Sequence, residues 1–118
     1  MKKSKREEVY KKFNQRCSYC GKKIDYKDMQ VDHYYPKSDP WYAKSYLNVD
    51  VNDMKNLMPS CRRCNHYKRS YLPEDFRRLM KTLHKRIEKN YIAKVAIDYG
   101  IVSIKPFDGI FYFEKLNK

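Results

Sequence analysis

Two sets of residues in this chain have the types and spacing for chemistry. Cys17-x2-Cys20 and Cys61-x2-Cys64 are two knuckles, and a two-residue spacer lets a pair of thiolates take two corners of a tetrahedron around zinc. With sulfur at all four corners no position is open to water, so such a zinc ion is structural. Two disulfides, or four unrelated buried cysteines, are the alternative; a reducing compartment disfavours the former. Residues 21–60 separate the knuckles, more than the usual ribbon spacing, which implies a functional insert.

The second set lies within and beside that insert: Asp32-His33, Asn56, then Asn65 directly after Cys64, then Lys68. Hydrolysis of a phosphodiester needs an activated water, a cation near the phosphoryl oxygens and stabilisation of the leaving alkoxide. Imidazole is the side chain whose ordinary pKa suits a general base near neutrality, which marks His33. Asp32 can hold a hard divalent ion through oxygen, and Asn65, on the first turn of the following helix, can add a second oxygen. Asn56 can pin the loop by bonding backbone groups, so fixing His33. His66 adjoins Asn65, but a helix turns about 100° per residue and points it elsewhere.

In that order, and framed by the leading Cys-x2-Cys, Asp32-His33, Asn56 and Cys61-Arg-Arg-Cys64-Asn65-His-Tyr-Lys68 resemble the HNH endonucleases, over roughly Arg16 to Ser70. The resemblance implies a ββα-metal fold in which two short antiparallel strands and a helix clasp a catalytic divalent ion. It also implies roles: His33 as general base, Asp32 and Asn65 as metal ligands, Asn56 as the orienting asparagine. Cleavage products with 5′-phosphate and 3′-hydroxyl ends are usual for such enzymes. Two departures stand out. The third family position, often histidine, is Asn65, as in His-Asn-Asn variants, and a neutral oxygen donor shifts metal preference toward Mg²⁺ or Mn²⁺. The glycine-rich turn common after the histidine is replaced by Ser38–Asp50.

These residues need elements to position them. Ser4–Phe13 reads as a short helix with Val9 and Phe13 inward. Asp28–Pro36 reads as a strand ended by proline, and Asn56–Pro59 as a second short strand. Lys37–Asp53 reads as a turn at Asp39-Pro40-Trp41 and an irregular excursion, with Trp41, Tyr42 and Tyr46 read as filling core in preference to stacking on bases. Ser60 is the expected N-cap of a helix over Cys61–Ser70. A second helix starts at Pro73 and carries Phe76, Leu79, Met80, Leu83 and Ile87 on one face. Ile92–Tyr99 continues helically to Gly100, and 101–105 with 110–114 read as a terminal hairpin. The fold class is α+β: a small ββα-metal core with two zinc knuckles, flanking helices and a C-terminal β-hairpin. One domain is expected over 1–118, with the motif core at 16–70 and an extension at 71–118.

The chain has 118 residues and a net charge of +13, with 35 % charged and 15 % aromatic residues; its mean hydropathy is −0.96. So polar a chain has little core to spare and needs a staple, and zinc can supply roughly 10 kcal/mol or more in small domains. Its aromatic content argues against disorder. The positive balance points to a polyanion, DNA above all. No long apolar run or lipidation motif points to a membrane, and the polar start is unlike a signal peptide, so a cytoplasmic location is expected; the resemblance implies a bacterial host cell, with phage encoding as an option. Arg62, Arg63, Lys68 and Arg69 flank the proposed metal site and are the leading phosphate contacts; Arg77, Lys81 and Lys85 are weaker candidates. A single site of this kind cuts one strand at a time, so double-strand cleavage calls for two turnovers, a homodimer or a partner protein. The alternative to a nuclease is a non-catalytic zinc-stapled nucleic-acid-binding module, and a third reading is a protein-interaction domain; neither needs the Asp-His-Asn-Asn quartet.

Overall fold

The computed structural model describes residues 1–116. Two short strands, β1 (Gln30–His33) and β2 (Leu57–Ser60), pair antiparallel with Gln30 opposite Ser60 and His33 opposite Leu57. Every β2 residue is buried. Pro59 donates nothing to the ladder, which a two-stranded sheet tolerates because both strands are edges. Helix α3 (Arg62–Lys68) leaves β2 directly. Its N-cap is Cys61 and not the expected Ser60: the Cys61 sulfur accepts the Cys64 N–H at 3.4 Å. Ser60 Oγ is turned inward and donates to the Cys61 carbonyl at 3.1 Å.

The first knuckle is a tight turn. Cys17 N–H donates to the Lys22 carbonyl at 2.8 Å, and Gly21 N–H returns to the Cys17 carbonyl at 3.0 Å. Gly21 sits at φ +78°, where L side chains are strained, and a Cβ there would meet the Tyr112 ring at 3.0 Å. Ser18 hangs this turn on the sheet, its N–H and Oγ both donating to the Pro59 carbonyl at 2.9 and 2.7 Å. Helix α1 (Lys3–Lys11) buries Val9, and Phe13 packs on Phe113 at 5.7 Å.

Two expectations are corrected. The stretch between the strands is not an irregular excursion, for it holds helix α2 (Pro40–Leu47). Asp39 accepts the Trp41 N–H at 3.3 Å, Pro40 takes the first turn, and Asn48 closes the helix at φ +57°, so its start and stop signals are ordinary ones. Trp41 and Tyr46 on it are 60 % and 63 % exposed, which overturns their reading as core. The terminal hairpin is likewise absent among the described residues. Tyr112 and Phe113 N–H groups donate instead to the Tyr19 and Ser18 carbonyls at 3.1 and 2.9 Å, so the segment is satisfied by the knuckle. It ends in a short helix that we label α7 (Tyr112–Lys115).

The chain packs as two compact units, one formed by Met1–Pro73 with the segment from Phe111, the other by Glu74–Ile110. The second contains α4 (Pro73–Lys81, all but its first residue), α5 (Leu83–Glu88) and α6 (Tyr91–Asp98). The helix expected to run from Pro73 to Ile87 is broken at Thr82, whose hydroxyl turns back on the Leu79 carbonyl at 3.1 Å. Asn90 caps α6 through the Ala93 N–H, and Gly100 ends it at φ +72°. Arg77 pairs with Glu74 at 3.0 Å and donates to the Gly109 carbonyl at 2.7 Å. Among the described residues no helix is long and apolar enough to cross a membrane.

Candidate functional site

The turn after α1 and the start of α3 bring the two knuckles together. The sulfur atoms of Cys17, Cys20, Cys61 and Cys64 all lie within 4.8 Å of one another, and Cys20 and Cys61 are 3.9 Å apart. A tetrahedron with zinc–sulfur bonds near 2.3 Å has sulfur–sulfur edges of about 3.8 Å. The four cysteines are thus positioned to bind a metal such as zinc. Hydrogen bonds from the Cys20 and Cys64 thiols pull Cys17 well down, and the same contacts push Cys20 up to about 11 and Cys64 far up. Four thiols packed this closely cannot all ionise unless a cation sits among them.

Asp32, on β1, is 5 % exposed and is held from both knuckles. Tyr19, between Cys17 and Cys20, donates its hydroxyl to Asp32 Oδ2. Lys68, on the last turn of α3, places Nζ 3.1 Å from Oδ2 and 3.5 Å from Oδ1. The same ammonium donates to the His33 carbonyl at 3.1 Å. Burial pushes the Asp32 carboxyl up, while Lys68 and Tyr19 pull it part of the way back. Burial, reinforced by the Asp32 charge, holds the Tyr19 phenol well above its ordinary value. Lys68 is fully buried, so its reading as a phosphate contact is corrected: its charge is spent on Asp32 and the β1 backbone.

His33 ends β1 half-buried. Its Nε2 lies 2.9 Å from Asn52 Oδ1; an amide oxygen only accepts, so Nε2 is the donor of this pair. Asn52 is itself fixed, its carbonyl accepting Lys5 Nζ at 2.6 Å and its N–H donating to Asp50 at 3.4 Å. Asn56 is fully buried. Its amide accepts the Tyr35 N–H at 2.8 Å and donates to the Tyr35 and Val51 carbonyls at 3.0 and 2.9 Å, closing the loop that follows His33. Asp32, His33 and Asn65 line one open cleft with Lys37 and Arg69. Asn56 stands behind it. Arg62 and Arg63 lie instead in a second hollow with Lys22, Lys23, Lys27 and His66.

Tyr19, Asn52 and the three lysines escape sequence reasoning. Tyr19 has no signal beyond its place inside a knuckle. Asn52 is one of several polar residues in a loop, and its partner His33 comes from a different element.

Against this geometry, comparison with known proteins is specific. The HNH endonuclease family model matches residues 17–70. The chain is 33 % identical over 64 residues to YoqL, an SPbeta prophage-derived protein of Bacillus subtilis (strain 168) named after HNH endonucleases; the match covers 54 % of this chain and 27 % of that one. It is 43 % identical over 54 residues to the Septu protein PtuB of Bacillus thuringiensis, covering 44 % of this chain and 18 % of PtuB. The chain therefore spans about a quarter or less of the length of these relatives. No solved structure matches.

Two outcomes follow for stability. Cys61→Ser removes both a sulfur of the cluster and the α3 cap, and the variant loses its helical circular dichroism; an intact spectrum would contradict the staple. Lys68→Ala leaves the Asp32 charge buried without its cation, which costs about 3–5 kcal/mol. Urea unfolding of the zinc-loaded protein measures it, and a loss below 1 kcal/mol (roughly that of an exposed pair) would contradict the buried-pair account.

Proposed function

We propose, from the premise that residues 17–70 belong to the HNH endonuclease family, that the protein is a metal-dependent endonuclease that hydrolyses DNA phosphodiester bonds. The observation that carries this reading is the shared cleft of Asp32, His33 and Asn65. His33 is the general base. Asn52 accepts from Nε2, which leaves Nδ1 as the nitrogen that takes a proton from the attacking water. Asn56 acts through the backbone, holding residues 34–35 and 51 so that the imidazole does not drift.

Asp32 and Asn65 are the residues that would hold the divalent ion. Their oxygen donors fit Mg²⁺ or Mn²⁺, and on Asp32 the Tyr19 and Lys68 contacts concentrate on Oδ2, leaving Oδ1 the less engaged oxygen. When bound, such an ion neutralises phosphoryl charge and stabilises the leaving oxygen. The sulfur cluster holds zinc as a structural staple. Arg69 and Lys37 contact phosphates at the cleft, and Arg62, Arg63, Lys22, Lys23 and Lys27 extend a basic track along the second hollow. Double-strand cleavage needs two turnovers, a second copy or a partner protein.

A second reading has its own observation. Lys68 already neutralises Asp32, as suits a zinc-stapled module that binds nucleic acid without cutting it. Plasmid nicking separates the two. Supercoiled DNA converts to nicked circles only with added Mg²⁺ or Mn²⁺, and His33→Ala lowers that rate by at least about a hundredfold while DNA binding persists. No cutting by the wild-type protein, with binding intact, would favour the module.

The Asn52 assignment makes a separate expectation. Asn52→Ala lowers kcat by about 10- to 100-fold, as loss of an orienting partner does, with KM little changed. Asn52→Asp, which keeps an oxygen acceptor for Nε2–H, restores part of the rate. Equal rates for the alanine variant and the wild-type protein would refute contact between the two side chains during turnover.

A further inference from the structure

Helix α2 keeps large aromatic surface in water. At 100° per residue, Ala43 and Leu47 share one side, and they are the buried and half-buried positions. Tyr42 and Tyr46 flank that side and Trp41 lies across the helix from it, and Trp41 and Tyr46 are largely exposed. The rings are ordered against one another. Tyr46 stacks on Tyr35 at 5.3 Å and 20°, and on Tyr42 at 6.2 Å and 12°. Trp41 meets Tyr42 and Tyr46 edge-on at 5.0 and 6.2 Å. So much ordered aromatic surface left in water marks a binding surface.

Its location says what it binds. Tyr35 carries the wall on one side, and its N–H and carbonyl are both gripped by Asn56, two residues from His33. Lys37 and Ser38, which line the cleft, lead directly into α2. Exposed lysines accompany the rings: Lys37 before the helix, and Lys44 one turn from Trp41. Flat faces beside cations, on a chain of net charge +13, complement a polyanion that also presents flat faces. An intact duplex does not: its base faces are stacked on each other and only edges and phosphates are offered.

We propose that the Trp41–Tyr46 face stacks unpaired nucleobases of the strand that enters the His33 cleft, so that the substrate is single-stranded or locally unpaired DNA. The inference rests on the nuclease reading for the role of the cleft, and it names the substrate of that same site.

Trp41 is the single tryptophan of the chain, so its fluorescence reports the surface directly. Zinc-loaded full-length protein, without added Mg²⁺ or Mn²⁺, is titrated with three labelled oligonucleotides of equal length: a thymidine single strand, an abasic strand and a duplex. Anisotropy follows binding and Trp41 emission follows stacking. The thymidine strand quenches Trp41 and binds about tenfold or more tightly than the abasic strand, while the duplex leaves emission unchanged. Tyr46→Ala reduces the single-strand preference about tenfold, and Tyr46→Phe, which keeps the ring, retains it. Equal affinity for abasic and base-bearing strands, or a Trp41 silent to every oligonucleotide, overturns the proposal; silence would leave the face to a protein partner. Cleavage of the thymidine strand on adding Mg²⁺ or Mn²⁺ separates the two levels of the argument. Cleavage with a silent Trp41 defeats stacking alone, and quenching without cleavage of that strand defeats the nuclease reading alone.

Discussion

Bringing four sulfur atoms within 4.8 Å of one another is the constraint from which the first unit takes its shape. The knuckles come from opposite ends of the 17–64 stretch, so closing the cluster folds that stretch into a loop and brings β1 against β2. The strands have four residues each, far too few to stand alone in water. Their pairing is held by what surrounds it: Ser18 of the first knuckle bonds Pro59 of β2, and Cys61 at the end of β2 caps α3. A metal at the centre would add the stability that so charged a chain cannot draw from its core.

The cluster also reaches the chemistry. Tyr19 projects from one knuckle and Lys68 from the helix begun by the other, and both end on the Asp32 carboxylate. A buried charge is tolerated only when paired and hydrogen-bonded, so Asp32 can occupy this position only while both knuckles are in place. The Lys68 bond to the His33 carbonyl extends the same linkage to the next residue. Closing the cysteine cluster and shaping the cleft are therefore coupled through a few polar contacts.

Much of this was legible in the residue order. The cysteine spacing announced the cluster, and Asp32, His33 and Asn65 do line one cleft. What sequence could not supply were partnerships across elements. Lys68 reads as a surface cation after a knuckle, and only the fold turns it inward. Asn52 reads as loop filler until β1 ends beside it. The hairpin expected at 110–114 failed because alternation fixes which side chains are apolar, not where the N–H groups go; here those of Tyr112 and Phe113 go to the knuckle. Helix α2 was missed for a different reason. Its cap and stop residues are plain, but its apolar side is only Ala43 and Leu47, while its bulky rings face water, so a search for a buried stripe finds none.

The same distinction bears on the net charge of +13, which is a poor measure of the charge free to meet an external polyanion. Several cations close backbone carbonyls instead. Lys5 bonds Asn52, Arg6 bonds Tyr26 and Met29, and Lys12 bonds Leu57 at 2.7 Å. Arg16, Lys68 and Arg77 do the same for Gly21, His33 and Gly109. Each such bond satisfies an acceptor that a short loop would otherwise leave open. Lys5 and Lys12 lie outside the 17–70 family match yet fix the 52–57 loop beside His33. The cationic residues thus divide into a structural set, bonded within the chain, and an external set at the cleft and the second hollow. Under the proposed nuclease reading, the external set, Lys37 and Arg69 with Lys22, Lys23, Lys27, Arg62 and Arg63, would set the salt dependence of DNA binding, because only cations that displace counterions from phosphate contribute to it.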